Sequence, residues 1–202
     1  MRDAQVVVVG GGPAGSSTAF FLARRGIDVL VVDRATFPRD KTCSEYLSPQ
    51  ASRILAEMDA LSAVENAGAA QLNGMRVHAP NGSTIHGEFR GKHGFRGYRD
   101  QGLAVRRTIL DELLLQRARD AGARVEESTR VTDLVRAPDE RVTGIIQMKD
   151  GEQRELHSRL VIGADGLRSV VGRRLGLIRA QGWPRRIALV THYSGVDGTR
   201  DS

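Results

Sequence analysis

The sequence predicts an α/β fold: a mainly parallel sheet with helices packed on it, and an antiparallel set of strands let into one crossover. Three observations predict it. Within residues 6–33 the chain reads strand, glycine turn, helix, strand. A long amphipathic stretch, residues 108–121, leads at once into a third short strand. Between that strand and a fourth apolar run, three short strands joined by turns stand where a plain crossover would have a helix. At 202 residues, 40% hydrophobic and 27% charged, the chain is long enough to bury a sizeable core.

The elements follow in order. Val6 to Val9 is an all-apolar, β-branched run, which a strand buried on both faces requires. After a glycine turn, Ala14, Ala19, Phe20, Leu22 and Ala23 predict a helix stopped by Arg24-Arg25-Gly26. Val29 to Val32 is a second buried strand, and strand–helix–strand over so short a distance makes the pair parallel. Pro49 to Met58 reads as a helix with Ser48 as its cap. Met75 to Ala79 and Thr84 to Phe89 flank Asn81-Gly82, a hairpin signal.

From Thr108 to Ala121, apolar residues recur on one helical face, with Thr108 and Asp111 spaced as a capping box and Gly122 as the stop. Arg124 to Glu127 is the third strand. Val131 to Val135, Val142 to Met148 and Gln153 to Leu156 form the meander, turned at Pro138-Asp139-Glu140 and Asp150-Gly151. Leu160 to Ile162 is a separate fourth buried strand ending in Gly163-Ala164-Asp165-Gly166. A short helix over Ser169 to Leu175 and a last strand over Ile187 to Tyr193 complete the prediction.

Composition excludes several classes. A single cysteine rules out an internal disulfide and a thiol-rich zinc site, and suits a reducing, cytoplasmic setting. The net charge of +6 comes almost wholly from arginine, since the lysines are Lys41, Lys92 and Lys149. The arginines are scattered singly or in pairs rather than clustered on one face, so no nucleic-acid partner is expected. Residues 4–23 carry no charge, but a Gly-Gly-Gly-Pro-Ala-Gly-Ser-Ser-Thr centre splits the apolar runs, and neither a membrane span nor a signal peptide is predicted.

Gly10, Gly12 and Gly15 have the spacing G-x-G-x-x-G between predicted strand and helix. The first glycine makes the tight turn, the second lets the backbone approach a diphosphate, and the third lets helix pack on strand. Pro13 fits the first helical position, where its missing N–H costs nothing. Pro13 and Ala14 open the helix whose free amides face the anion. Asp33 ends the second strand, 18 residues after Gly15, where a carboxylate accepts both ribose hydroxyls of an adenosine. It repels a 2′-phosphate, which disfavours NADP at this site, with Arg34 beside it as the group that would accommodate one. The turn alone does not separate NAD from FAD.

Three segments separate them by resemblance. "VVVGGGPAGSSTAFFLARRGIDVLVVDR", "LAVRRTILDELLLQRARDAGARV" and "LVIGADGLRSVVGRRLGL" resemble, over essentially the whole chain, the FAD-dependent oxidoreductases of the geranylgeranyl reductase and aromatic-ring hydroxylase type, the class A flavoprotein monooxygenase-like superfamily. The resemblance implies a Rossmann-like FAD/NAD(P)-binding domain with a three-strand β-meander crossover, followed by the first strands of a substrate domain. It puts Arg107, with Arg106 beside it, at the arginine that contacts the flavin cofactor, four residues ahead of an aspartate. A cation just before a helix start opposes the macrodipole and hints at an anion nearby. Asp165 and Gly166 inherit the Asp-Gly motif that approaches the diphosphate. An arginine common in the family three residues after the serine is replaced by Gly172.

"FPRDKTCSEYLSP" is similar to a segment that lies beside the flavin ring in the reductase branch and in related halogenases. Phe37, Pro38, Arg39, Lys41, Cys43, Leu47 and Pro49 match it, while Thr42 and Ser44 replace a proline and a glycine. Cys43 is therefore the flavin-proximal candidate for catalysis, as a residue that shapes the pocket, influences proton delivery, or acts as a low-pKa thiol. "RGKHGFRGYRDQG", residues 90–102, reads as a loop near the ring or substrate entrance, with His93 and Tyr98 as candidate proton donors and a solvated loop as the plainer reading. His192 and Tyr193 carry no assignment, and no metal ligands are expected.

The implied activity is NAD(P)H-dependent: NADH or NADPH reduces FAD, and reduced FAD passes hydride to an alkene in a small-molecule, isoprenoid or otherwise apolar substrate. A monooxygenase or halogenase, and a non-catalytic dinucleotide-binding module, are the alternatives. Peripheral membrane contact belongs to the intact enzyme. Family enzymes run to nearly twice this length, so the chain is expected to be a fragment or truncated product. Residues 1–71 and 100–178 would form the FAD-binding domain, and 72–99 with 179–202 a partial substrate or cap region.

Overall fold

The computed structural model describes residues 2–43, 45–91, 96–179 and 187–195. The predicted parallel unit is present: β1 (Ala4–Val9), α1 (Pro13–Ala23) and β2 (Val29–Val32). There follow β3 (Tyr46–Leu47), α2 (Ala51–Glu57), α3 (Leu61–Asn66), β4 (Ala70–Leu72), β5 (Gly74–His78), β6 (Thr84–Glu88) and β7 (Gly102–Ala104). Then come α4 (Arg107–Asp120), β8 (Arg124–Glu126), β9 (Arg130–Arg136), β10 (Val142–Lys149) and β11 (Glu152–Gly163). A 3-10 turn at Gly166–Arg168 leads to α5 (Val170–Arg174).

The main sheet has the order β8-β2-β1-β11-β10-β9. β8, β2, β1 and the C-terminal half of β11 are parallel, and β10 runs antiparallel to β11 and β9. Alternation along β1 and β2 explains why Val6–Val9 and all of β2 are apolar. Val6, Val8, Val29 and Val31 pack against α1 and α4 through Phe20, Leu110, Leu114 and Leu115. Val7, Val9, Leu30 and Val32 pack on the other face against Leu134, Ile145, Leu156 and Val171 of the meander and α5. Both faces are covered, as a parallel sheet demands.

Four expectations change. The third meander strand and the fourth parallel strand are one strand: β11 pairs with β10 over Glu152–His157 and with β1 over Ser158–Gly163. Its His157, Arg159 and Leu160 are exposed, so the polar interruption marks a solvent-facing stretch rather than a break. Second, Thr108 and Asp111 make no capping box. Arg106 is the N-cap of α4, and the Arg107 N–H donates instead to Glu45 Oε1 at 3.2 Å.

Third, α2 starts at Ala51 with Gln50 as its N-cap, rather than at Pro49 directly after Ser48. The hairpin forms where expected, with β5 and β6 on either side of Asn81-Gly82. Ala79 N–H donates to Ser83 O (2.9 Å), and within the loop Gly82 alone takes a positive φ (+85°). That is a turn relaxed by a left-handed glycine. Fourth, Ile187 to Tyr193 is not a strand. Its side chains are exposed, Leu189 by 94%, and no strand lies beside it to complete its backbone hydrogen bonds among the described residues. Ser48 Oγ does accept the Ala51 amide (3.3 Å), but from two residues ahead of the N-cap. β3, β7 and β4 form a small second sheet, and β5 and β6 a two-stranded one.

Candidate dinucleotide site

The glycine turn lies at the C-terminal end of β1, where strand direction and helix start converge. Gly10 takes φ +103° and donates to Val32 O (2.8 Å). A Cβ on it would lie 2.5 Å from the Ala164 carbonyl oxygen, so the turn is seated against the residues that follow β11. A Cβ on Gly15 would lie 1.8 Å from the Gly10 carbonyl oxygen, which is the close helix–strand contact only glycine permits. Gly12 differs. The nearest atoms to a Cβ there are guanidinium nitrogens, Arg39 Nη2 at 3.4 Å and Arg107 Nη2 at 3.9 Å. Gly12 is the N-cap of α1, no side chain caps that helix, and Pro13 occupies its first turn with Ala14 behind it.

Asp33 is nearly buried, and both carboxylate oxygens accept backbone amides: Oδ2 from Gly11 (2.7 Å) and Oδ1 from Ala35 (2.8 Å). The acid therefore fixes the turn as well as lying beside it. Each oxygen keeps a second acceptor site, enough for a pair of ribose hydroxyls. Arg34 next to it is exposed.

Asp165 meets the turn through its backbone, since its Cα lies 2.9 Å from a Cβ built on Gly10. Its carboxylate points the other way, accepting Ser169 Oγ–H and the Val170 N–H, each at 2.5 Å. Gly166, at φ +76°, provides the bend into the 3-10 turn and is exposed.

The arginine pair divides its work. Arg106 is exposed, whereas Arg107 folds back along α4 and forms a two-pronged pair with Asp111: Nε–Oδ1 2.6 Å and Nη2–Oδ2 2.7 Å. Asp111 is fully buried and also faces Arg39 Nη1 at 2.9 Å. The Asp111 carboxylate raises the Arg107 pKa above the ordinary guanidinium value against the opposing effect of burial, with a smaller contribution from a hydrogen bond to the Cys43 side chain. Arg39 also stacks on the Phe37 ring, 5.0 Å from its centroid.

Thus Cys43, half-buried, and Arg107 are brought together near Gly12 although 64 positions separate the two in sequence (107 − 43). Glu45, two residues on, binds the Arg107 amide and pairs with His192 Nε2 at 2.9 Å. His93 and Ser44 lie outside the described residues. Tyr98 is half-exposed, and its neighbour Arg99 pairs with Glu65 (2.6 Å). Sequence reasoning left Asp111 in a cap and Glu45 without a site role, and placed Arg39 only by resemblance, in the segment beside the flavin ring. The signal that could have found Asp111 is its acidic charge on the buried face of an amphipathic helix, which demands a partner.

A glycine turn at a strand's carboxyl end, an uncapped helix start, an acid at the end of the next strand and two guanidinium groups over the turn define a dinucleotide-binding protein of the α/β class. The comparisons specify the class further. Residues 3–187 match the family described as FAD binding domain, and the chain belongs to that family.

Among curated relatives, it is 38% identical over 174 residues to the menaquinone reductase of Mycobacterium tuberculosis (86% of this chain, 40% of the relative). It is 34% identical over 179 residues to the digeranylgeranylglycerophospholipid reductase of Methanosarcina acetivorans (88% and 41%). The chain thus spans about two-fifths of the length of these relatives.

Among solved structures, a geranylgeranyl bacteriochlorophyll reductase-like protein from Thermoplasma acidophilum superposes with a TM-score of 0.74 at 26% identity, over 89% of this chain and 44% of that one. The flavin-dependent halogenase CmlS gives 0.75 at 29%, over 87% and 31%. The relatives and neighbours named here are thus reductases, a reductase-like protein and a flavin-dependent halogenase.

Proposed function

We propose that this chain is the FAD-binding portion of an NAD(P)H-dependent oxidoreductase of the geranylgeranyl reductase type, acting in its whole form on an alkene of an isoprenoid or other apolar small molecule. One observation carries the reading: Gly10, Gly12 and Gly15, the Asp33 carboxylate and the Arg107 guanidinium converge at one end of the parallel sheet.

In this reading the first-turn amides of α1 and the Gly12 backbone hold the diphosphate, Asp33 accepts the ribose hydroxyls, and Arg107 balances the anion. The residues fit, because Gly12 leaves the space under the guanidinium groups that a side chain would fill, and Asp33 retains free acceptor sites. When bound, the flavin supplies hydride and dioxygen chemistry that no side chain can supply. Cys43, hydrogen-bonded to Arg107, shapes the edge of that site and is positioned there by the turn around Glu45.

The region of residues 72–99 and 179–202 belongs, in this proposal, to the part that covers substrate. A cleft of about 580 Å³ between Ser48, Pro49, His86, Glu88 and Phe89 lies on that side. Contact of the whole protein with a membrane surface belongs to the same reading. No helix of the described residues is long and apolar enough to cross a membrane.

Purified chain reconstituted with FAD should turn yellow, and anaerobic NADH or NADPH should bleach it. Yellow but inert protein would reduce the chain to a binding module. Failure to take up FAD would overturn the reading. The halogenase or monooxygenase alternative draws on structural likeness to CmlS; there, bleached protein exposed to oxygen would hydroxylate or halogenate rather than saturate an alkene.

A further inference from the structure

We propose that Asp111 is a positioning residue for the cofactor's diphosphate: one buried carboxylate holds the guanidinium groups of Arg39 and Arg107 together over Gly12. The proposal rests on the flavin reading of the glycine turn and deepens it by adding a second guanidinium and the group that aims both.

Asp111 lies on the face of α4 that packs against α1, where an unpaired carboxylate would be strongly disfavoured. It is paired twice. Arg107, from the first turn of the same helix, takes both oxygens, and Arg39, from the loop after β2, approaches Oδ2. Without the acid, two guanidinium groups this close would repel each other. With it, the three groups sum to +1, and that residual charge sits against the open side of the turn.

Two geometric facts argue that the charge is meant for an anion. The nitrogens nearest the missing Gly12 side chain are Nη2 of Arg39 and Nη2 of Arg107, so both groups turn an edge toward the place a diphosphate would occupy. Arg39 Nη1 is buried, and although an ion pair to Asp111, it lies off the line of a hydrogen bond and makes no such bond among the described residues. A purely structural tie between the loop and α4 would be expected to spend that donor on its acceptor. The planar fork of arginine suits diphosphate oxygens in a way a lysine would not.

The test uses ADP and adenosine as probes, titrated calorimetrically into the 202-residue chain. Adenosine reports the Asp33 side of the site and ADP adds the diphosphate. Asp111→Asn keeps the shape and one acceptor, and should weaken ADP by about tenfold or more, as loss of a charge-assisted contact does, while leaving adenosine within about twofold. Arg39→Gln keeps the Arg107–Asp111 pair and should show the same selective loss, so the test survives even if Asp111→Asn folds poorly.

Equal weakening of ADP and adenosine in both variants would assign Asp111 a structural role and overturn the inference, as would an unchanged ADP affinity. A wild-type chain that binds FAD but shows no ADP preference over adenosine would also sink it. If the wild-type chain binds FAD, ADP and adenosine not at all, the flavin reading fails first.

Discussion

Gly12 and Gly15 are three residues apart, yet a methyl group should act oppositely at the two positions. At Gly15 it would overlap the Gly10 carbonyl, with nothing flexible to yield, so Gly15→Ala should lower unfolding free energy by about 1–3 kcal/mol or more. At Gly12 it would meet the ends of two arginine side chains at ordinary contact distance. Gly12→Ala should cost no more than about 1 kcal/mol, the preference of a helix N-cap for Gly over Ala, a shift of about 2–4 °C, and still lose FAD affinity. Thermal melts and a flavin fluorescence titration on both variants check the contrast; equal melting temperatures would refute it.

Cys43 belongs to this scale too. Cys43→Ala removes the hydrogen bond to Arg107 and should change the flavin spectrum or its affinity, whereas unchanged spectrum, affinity and turnover in both Cys43→Ser and Cys43→Ala would remove the thiol from the site. The placement of the glycines and Asp33 around one turn was legible in the sequence because it depends on local backbone and short spacing. The pairing of Arg39 with Asp111 was not, because it is a contact between a loop and a helix 72 positions apart (111 − 39).

At the scale of elements, α4 begins without a capping side chain of its own and borrows Glu45. Glu45 takes φ +58°, the left-handed region, and sends Oε1 to the Arg107 amide. Glu45→Ala should cost about 0.5–2 kcal/mol, the usual loss of a helix N-cap, measured by urea unfolding. A helix cap supplied from another segment cannot be read from the helix's own sequence, which is why Thr108 and Asp111 looked like the cap. The same limit applies to β11. Its His157-Ser158-Arg159 stretch reads as a gap, but these residues stay extended because β10 and β1 pair with successive parts of one backbone. Ile187 to Tyr193 fails in the opposite sense: it has the composition of a strand but no neighbour among the described residues, and strand formation depends on partners more than propensity.

Across the whole molecule, the amino-terminal residues are tied to distant elements by Asp3. Its Oδ2 accepts the His157 amide (2.9 Å), its Oδ1 pairs with Arg154 (3.0 Å), and its carbonyl accepts Arg124 Nη2 (2.6 Å). The His157 amide, first, and Arg154 hold the Asp3 carboxyl below its ordinary range. A depressed folded-state pKa stabilises above the unfolded value, near 4, and that contribution is lost as pH falls through the lower folded value. Asp3→Asn should therefore be less stable than wild type at pH 6, with the gap closing below about pH 4. Denaturant unfolding at several pH values checks it, and a gap that widened with acid would reverse the assignment. The overall architecture was largely legible, since valine runs, glycine stops and turn residues each act over a few positions. The second sheet of β3, β7 and β4 was not, because strands of two or three residues leave no periodicity to detect.

β11 has a mechanical consequence. One uninterrupted backbone reaches from the Asp150-Gly151 bend to the carbonyl against which Gly10 rests. A slip of one residue in the meander would drag the far end by about 3.3 Å and turn its side chains over. A remote hairpin thus acts as the ruler that sets the depth of the cradle, and lengthening that bend by one residue is a way to detune the site without touching it.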